Sequence, residues 1–374
     1  MGKIRVLVVD DSLFMRRMIS EILAQDAAIE VVGAARDGRE GLEMARQLKP
    51  DVITLDVEMP VIDGVTMLQR LMAEQPTPVV MVSSLTKEGA EITLRCLELG
   101  AIDFVTKPSG AISFDLYKVS SQIVEKVKAA AHVPRARLIS SFHKVPPATQ
   151  GEPKAEIGSP LQRGNLQEGI ADTTPSSADG LPLVVIGAST GGPRALSLLM
   201  GQLPSYFHAP MLIIQHMPEG FTRSFAERLD RLSHMHVREA QEGDRLQAGI
   251  AYLAPGGRHL QVARGGRLHL SDEPPVHGVR PAVDVTLLSI AQHYTGKVVV
   301  AILTGMGSDG AMGIRALHAK GARILAEDES SCVVFGMPRA AIQTGCVHRV
   351  APIEQMAQYI TEEVQQLCRL HQVA

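Results

Sequence analysis

VVIGASTGG, residues 184–192, is the stretch on which the reading of the fold turns. An aliphatic run ends in Gly187, a serine and a threonine follow, and two glycines lead into PRALSLLMGQL, a helical pattern with Pro193 suited to its first turn. A short, continuously apolar run that passes through a tight turn into a helix is a βα unit buried on both faces, the mark of a parallel sheet. The hydroxyl of Ser189 then has two readings. Serine caps helices and lines phosphate cradles; it also forms the nucleophile elbow G-x-S-x-G, here residues 187–191, whose small neighbours let the hydroxyl project. No lysine follows the glycines as a P-loop requires, and the G-x-G-x-x-G spacing of dinucleotide folds is absent.

The same pattern extends in both directions. Downstream, PMLIIQHM (210–217), VVVAILTGMG (298–307) and ARILAED (322–328) read as further parallel strands. The Gly-rich IAYLAPGGRHLQVARGGRLHLSDE (250–273) reads as antiparallel hairpins attached to that sheet. Upstream, IRVLVVD (4–10), IEVVGAA (29–35), DVITLDV (51–57), TPVVMVSS (77–84) and AIDFVTK (101–107) alternate with amphipathic stretches such as LFMRRMISEILAQD (13–26). The expected fold class is therefore α/β, with two doubly wound, mostly parallel sheets. Residues 1–128 form one domain and 181–374 the other. Between them, 129–180 is rich in Pro, Ser, Gly and Gln without a sustained apolar period, and reads as a flexible linker with RARLISSF (135–142) as a candidate docking piece.

Bulk properties narrow the function. At 374 residues the chain exceeds one ordinary core, and 45% hydrophobic with 21% charged residues is a soluble globular composition. A net charge of −3 without a basic stripe argues against nucleic acid, and 3% aromatics with no Trp argue against stacking platforms for bases or sugars. The four cysteines are scattered, as reduced thiols are, rather than paired for disulfides or zinc. The first residues enter a strand at once and no apolar run reaches membrane-spanning length, so a cytoplasmic location without direct membrane insertion is expected.

In the first domain, Asp10 and Asp11 follow the first strand, Asp56 ends the third, Ser83 the fourth and Lys107 the fifth. Strand carboxyl ends share one rim, so three carboxylates, a hydroxyl and an ammonium should converge there. Paired aspartates also favour helix starts, but a hard divalent cation such as Mg²⁺ fits the full set, which can polarise a phosphoryl group for in-line transfer to a carboxylate. These residues, within VLVVDDS, DVITLDVEMPVIDG, MVSS and FVTKPS, resemble the flavodoxin-like receiver domain of two-component response regulators. The resemblance implies Asp56 as phosphoacceptor, Asp10, Asp11 and Asp56 as holders of Mg²⁺, Ser83 as switch hydroxyl, Lys107 as partner of the phosphoryl oxygens and Phe104 as the aromatic coupled to the switch.

In the second domain a serine nucleophile needs a base. His216 ends the strand after the elbow, in LIIQHMPEG, and Asp309 lies in AILTGMGSDGAMG, where another strand runs into a glycine-rich turn. A single histidine among 13 is more often structural, and an aspartate before a helix is more often a cap. Together at three strand ends they form the Ser–His–Asp relation of attack, proton transfer and orientation. IGASTGGP, QHMP, YLAPGGRH, RPAVDVTL and LTGMGSDGAMG resemble the Rossmann-like catalytic domain of the CheB family of chemotaxis protein-glutamate methylesterases. The resemblance implies Ser189 as nucleophile, His216 as general base and acid, and Asp309 as orienting carboxylate. It also implies Thr190 and Met306 lining the site, the Met306 amide as an oxyanion donor beside the elbow's own amides, and structural or wall roles for His259 and Asp284. Its substrates would be methylated glutamates of chemoreceptors, with deamidation of receptor glutamines as a second activity, its phosphodonor the histidine kinase CheA, and its hydrolysis free of cofactors. A response regulator with a non-catalytic binding domain or a general esterase as output is the alternative.

Overall fold

The computed structural model of the chain describes residues 2–107, 113–134 and 182–372; RARLISSF and most of the expected linker lie outside them. The receiver is built of β1 (Ile4–Val9), α1 (Leu13–Ala24), β2 (Ile29–Ala35), α2 (Gly38–Leu48), β3 (Val52–Asp56), α3 (Gly64–Glu74), β4 (Val79–Ser83), α4 (Lys87–Glu98), β5 (Asp103–Thr106) and α5 (Ser113–Ala131). All pairings in its sheet are parallel, in the order β2-β1-β3-β4-β5. The strands β3 and β4 are wholly buried, which is why they read as unbroken aliphatic runs rather than as alternations. Side chains start the helices: Asp63 Oδ1 accepts from the Thr66 amide (2.7 Å) and Thr86 Oγ1 from that of Gly89 (2.9 Å). The expected boundary at 128 falls inside α5, and Val133 still packs in the receiver core.

The second domain continues with β6 (Leu183–Ala188), α6 (Gly192–Gln202), β7 (Met211–Gln215), α7 (Phe221–Leu232), β8 (His236–Glu239), β9 (Ile250–Leu253), β10 (His259–Ala263), β11 (Arg267–Ser271), α8 (Val283–His293), β12 (Val298–Ile302), α9 (Ala311–His318), β13 (Arg323–Glu327), α10 (Met337–Gln343), β14 (Arg349–Ala351) and α11 (Ile353–Gln372). Its seven-stranded sheet runs β14-β13-β12-β6-β7-β9-β8, again parallel throughout. The hairpin expectation holds for β10 and β11, an antiparallel pair joined across residues 264–266. It fails for residues 250–253. That run is β9, which pairs parallel with β7 and β8 inside the main sheet. Its buried AYL face has the apolar character of a central strand, and the glycines that suggested a hairpin belong to the turn after it.

Strand order reverses at β6. The chain builds outward through β7 on one side and returns to lay β12 on the other, so the carboxyl end of β6 is a topological switch point, where open α/β sheets form their crevice. Ser189 is the first residue past that end.

The two domains share a seam. Leu94, Leu97 and Phe104 of the receiver belong to the same hydrophobic cluster as Phe221 and Phe225. The Phe104 and Phe221 rings stack with centroids 4.5 Å apart, and Arg228 pairs with Glu98. A cavity of about 300 Å³ lies in the seam, walled by Leu97, Ile102, Arg194, Glu327 and Val333.

Candidate functional site

The register places the nucleophile and base candidates side by side. Ala188 on β6 pairs with Gln215 on β7, so Ser189 and His216 emerge together, and the His216 amide donates to the Ala188 carbonyl (3.0 Å). Gln215 fastens the two turns: its side-chain amide donates to the carbonyls of both Ser189 (2.9 Å) and His216 (3.1 Å). On the other flank, Ser189 N–H donates to Thr304 C=O (3.0 Å), and Gly305 lies so close that a Cβ there would stand 2.8 Å from Ser189 Cβ. Close approach of two backbones requires glycine at 305.

Ser189 is not a cap. The N-cap of α6 is Gly191, in the left-handed region at φ 79°, with no side-chain cap. Among the described residues the Ser189 hydroxyl has no hydrogen-bond partner, and it is half-buried at the rim. His216 Nε2 meets Asp309 Oδ2 at 2.7 Å, and ring nitrogen Nδ1 has no partner among the described residues. No hydrogen bond joins the Ser189 hydroxyl to the imidazole here; such catalytic bonds are often long in unliganded sites and tighten around substrate.

Asp309 caps a helix, but not the one it precedes. Its own helix, α9, starts at Gly310 without a side-chain cap, whereas its two oxygens accept the Val283 (2.6 Å) and Asp284 (2.8 Å) amides at the start of α8. Burial pushes the Asp309 carboxyl up, yet the bond and charge of His216 and the two amides outweigh it and hold the group below its ordinary range. It stays an anion, shared between the imidazole and the start of α8.

The remaining expected residues divide. The Met306 side chain is half-buried beside Gly305, and its amide has no acceptor among the described residues. Of the elbow's amides, that of Ser189 is bonded to Thr304 C=O and cannot receive an oxyanion, whereas that of Thr190, like that of Met306, has no acceptor among the described residues. Thr190 faces the receiver, and its hydroxyl donates to Asp103 Oδ2 (2.5 Å). His259 is fully buried and satisfied, accepting the Ala282 amide at Nδ1 (3.2 Å) with Pro274 C=O at Nε2 (3.1 Å). Asp284 takes the Gly313 amide (2.7 Å) and meets His277 (2.8 Å). Gln215, Thr304, Glu327 and Asp103 were not singled out from the sequence. Gln215 and Glu327 end buried strands, Thr304 lies just beyond one and Asp103 begins one, and a polar residue at such a place is their only signal.

In the receiver, Asp10 and Asp56 are almost wholly buried, with Lys107 Nζ 3.3 Å from Asp10 Oδ2 and 2.7 Å from Asp56 Oδ2. Burial raises the Asp56 carboxyl to about 6, Lys107 opposing and Asp10 adding to the shift, and burial raises Asp10 as well. Burial lowers the Lys107 ammonium, but its two carboxylates more than compensate. Asp10 Oδ2 and Asp56 Oδ2 have the ammonium's charge but no well-formed hydrogen bond, and ligand atoms of Asp10, Asp11 and Asp56 all lie within 4.8 Å of one another. That donor set fits Mg²⁺, which takes a few carboxylates and keeps its waters. Ser83, fully buried, accepts from Thr93 Oγ1 (2.6 Å) on α4. Phe104 points into the seam, and Lys126 ties its carbonyl (2.7 Å) and Asp103 (2.9 Å) together.

No helix among the described residues is long and apolar enough to cross a membrane. Residues 6–114 match the response regulator receiver domain family and residues 184–360 the CheB methylesterase family. A protein-glutamate methylesterase/protein-glutamine glutaminase of Symbiobacterium thermophilum is 50% identical over 362 residues, covering 96% of this chain and 97% of that protein. One from Bacillus subtilis is 44% identical over 364 residues, covering 96% of this chain and 98% of its own. The crystal structure of the Thermotoga maritima CheB methylesterase catalytic domain is 43% identical, covers 49% of this chain and 98% of its own, and superposes with a TM-score of 0.47. With identity of this order along nearly the whole of both chains, the protein belongs to the CheB family, the receiver-bearing protein-glutamate methylesterases/protein-glutamine glutaminases.

Proposed function

We propose that this chain hydrolyses glutamate methyl esters on the cytoplasmic domains of methyl-accepting chemotaxis receptors, and deamidates receptor glutamines, under control of phosphorylation at Asp56. One observation carries the reading: a buried His216–Asp309 pair stands beside an uncapped serine at the sheet's switch point. Asp309 holds Nε2–H of His216, so Nδ1 takes the proton of Ser189 as its oxygen attacks the ester carbonyl. The negative charge that develops on the carbonyl oxygen is received by the Met306 amide. The imidazolium returns the proton to the departing methoxide, methanol leaves, and water, deprotonated by the same ring, releases the glutamate. For a glutamine the imidazolium gives its proton to the amide nitrogen as the C–N bond breaks, so that ammonia leaves.

Receiver control rests on the seam. The neighbour of the nucleophile, Thr190, is bonded to Asp103 on β5, and the next residue, Phe104, stacks on the helix that follows His216. Asp10, Asp11 and Asp56 would hold Mg²⁺, which when bound supplies positive charge for the phosphoryl oxygens. Lys107 pairs with the same oxygens, and Ser83 turns from Thr93 toward them. The phosphodonor is the histidine kinase CheA, and the site of action is the cytoplasm. Hydrolysis itself needs no cofactor.

The substrate assignment is tested by measuring methanol release from methyl-esterified receptor fragments against hydrolysis of a small soluble methyl ester. Preference for the receptor supports it; equal kcat/KM for both would leave a general esterase.

A further inference from the structure

We infer that Glu327 and Thr304 form a strut that sets the position of the Ser189 turn, making them positioning residues for the reaction; the inference rests on Ser189 being the nucleophile. Thr304 lies just beyond β12, and it holds the turn at two points. Its carbonyl accepts the Ser189 amide (3.0 Å), and its hydroxyl donates to the Thr190 carbonyl (2.9 Å) while accepting the Val334 amide (3.0 Å). Thr304 is in turn held from behind. Glu327, at the end of β13, accepts the Thr304 amide at Oε2 (2.8 Å) and the Ser331 hydroxyl at Oε1 (2.8 Å). Both side chains are 1% exposed.

A buried carboxyl is a costly choice for a purely structural prop, since an apolar side chain would fill the same space without desolvation. What a carboxyl adds here is direction. It takes one backbone N–H of the segment that runs on into Gly305 and Met306, and so fixes where the oxyanion-donor amide stands relative to Ser189. Burial raises Glu327 to about 7, with the bonds from Thr304, Ser331 and Cys332 opposing. The neutral acid preserves the geometry: one oxygen still accepts from Thr304, and the acid proton turns to Ser331, whose hydroxyl can donate instead to Asp328 C=O (3.3 Å). A glutamine can do the same. A leucine cannot.

The test uses the full chain with Thr304→Val, Thr304→Ser, Glu327→Leu and Glu327→Gln, beside Ser189→Ala. Hydrogen exchange of the Ser189, Thr304 and Val334 amides and steady-state methanol release from methylated receptor are both measured. Thr304→Val is expected to speed exchange at Ser189 and Val334, Glu327→Leu at Ser189 and Thr304, and both to lower kcat about 10- to 100-fold, with KM within about twofold, because small displacements of a reacting group cost much of the rate. Thr304→Ser and Glu327→Gln are expected to restore wild-type exchange and kcat. Unchanged exchange and kcat in Thr304→Val and Glu327→Leu would overturn the strut, as would equal losses in the conservative and disruptive variants. Full activity in Ser189→Ala would instead remove the nucleophile reading, and the exchange measurement would still judge the strut.

Discussion

Asp309 serves two partners at once: it caps α8 through two amides and orients His216. Asp309→Asn keeps the size but offers one acceptor oxygen and disturbs the imidazole tautomer. A kcat loss of about 10³- to 10⁴-fold in methanol release is expected. The linkage with pH has a definite sign. Because the native Asp309 carboxyl is depressed, its stabilisation is complete above the unfolded value near 4 and is lost as pH falls through the native one. Glu327 runs the other way. Its native value near 7 lies above the unfolded one near 4.5, so its contribution is greatest below that and declines as pH rises toward 7. Urea denaturation from pH 4 to 8 should therefore show a shallower decline in Glu327→Gln than in the wild type. At this scale the sequence was legible where a polar residue ended an aliphatic run and also fell within a motif. Gln215, Thr304 and Glu327 end such runs too, but nothing in one dimension says which neighbouring turn each will grip.

The elements themselves were the most readable part, because strands buried on both faces must be continuously apolar and the turns after them must be small. Residues 250–253 defeated that reading: four residues are too few for pattern alone to distinguish a hairpin arm from a central strand. The edge strand β14, three residues long and half-exposed, carried too little apolar signal to be seen. Close packing between elements gives two sharp expectations. A Cβ on Gly305 would stand 2.4 Å from Met337 Sδ as well as against Ser189, so Gly305→Ala should lower kcat about 10- to 100-fold while the receiver still accepts phosphate. A Cβ on Gly64 would stand 2.0 Å from the Asp56 carbonyl, so Gly64→Ala should destabilise the receiver by about 1–3 kcal/mol in urea and slow phosphorylation, leaving the catalytic sheet intact.

Across the whole molecule, the seam joins two candidate sites that the sequence shows only separately. Neither Asp103 nor Phe221 could be assigned from one domain's pattern, since each acquires its partner only when the domains meet. An aromatic stack is worth about 0.5–1.5 kcal/mol beyond its buried area. Phe104→Ala should therefore raise the unphosphorylated rate roughly 2- to 10-fold and shrink the gain on phosphorylation. An unchanged basal rate would mean that the seam does not restrain the site. The account as a whole depends on Ser189 being the attacking group, and the most direct measurement is the initial rate of methanol release from methylated receptor membranes by the phosphorylated full chain and by its Ser189→Ala variant. The geometry predicts steady release by the wild type and no release above buffer by the variant. Wild-type release from Ser189→Ala would contradict it.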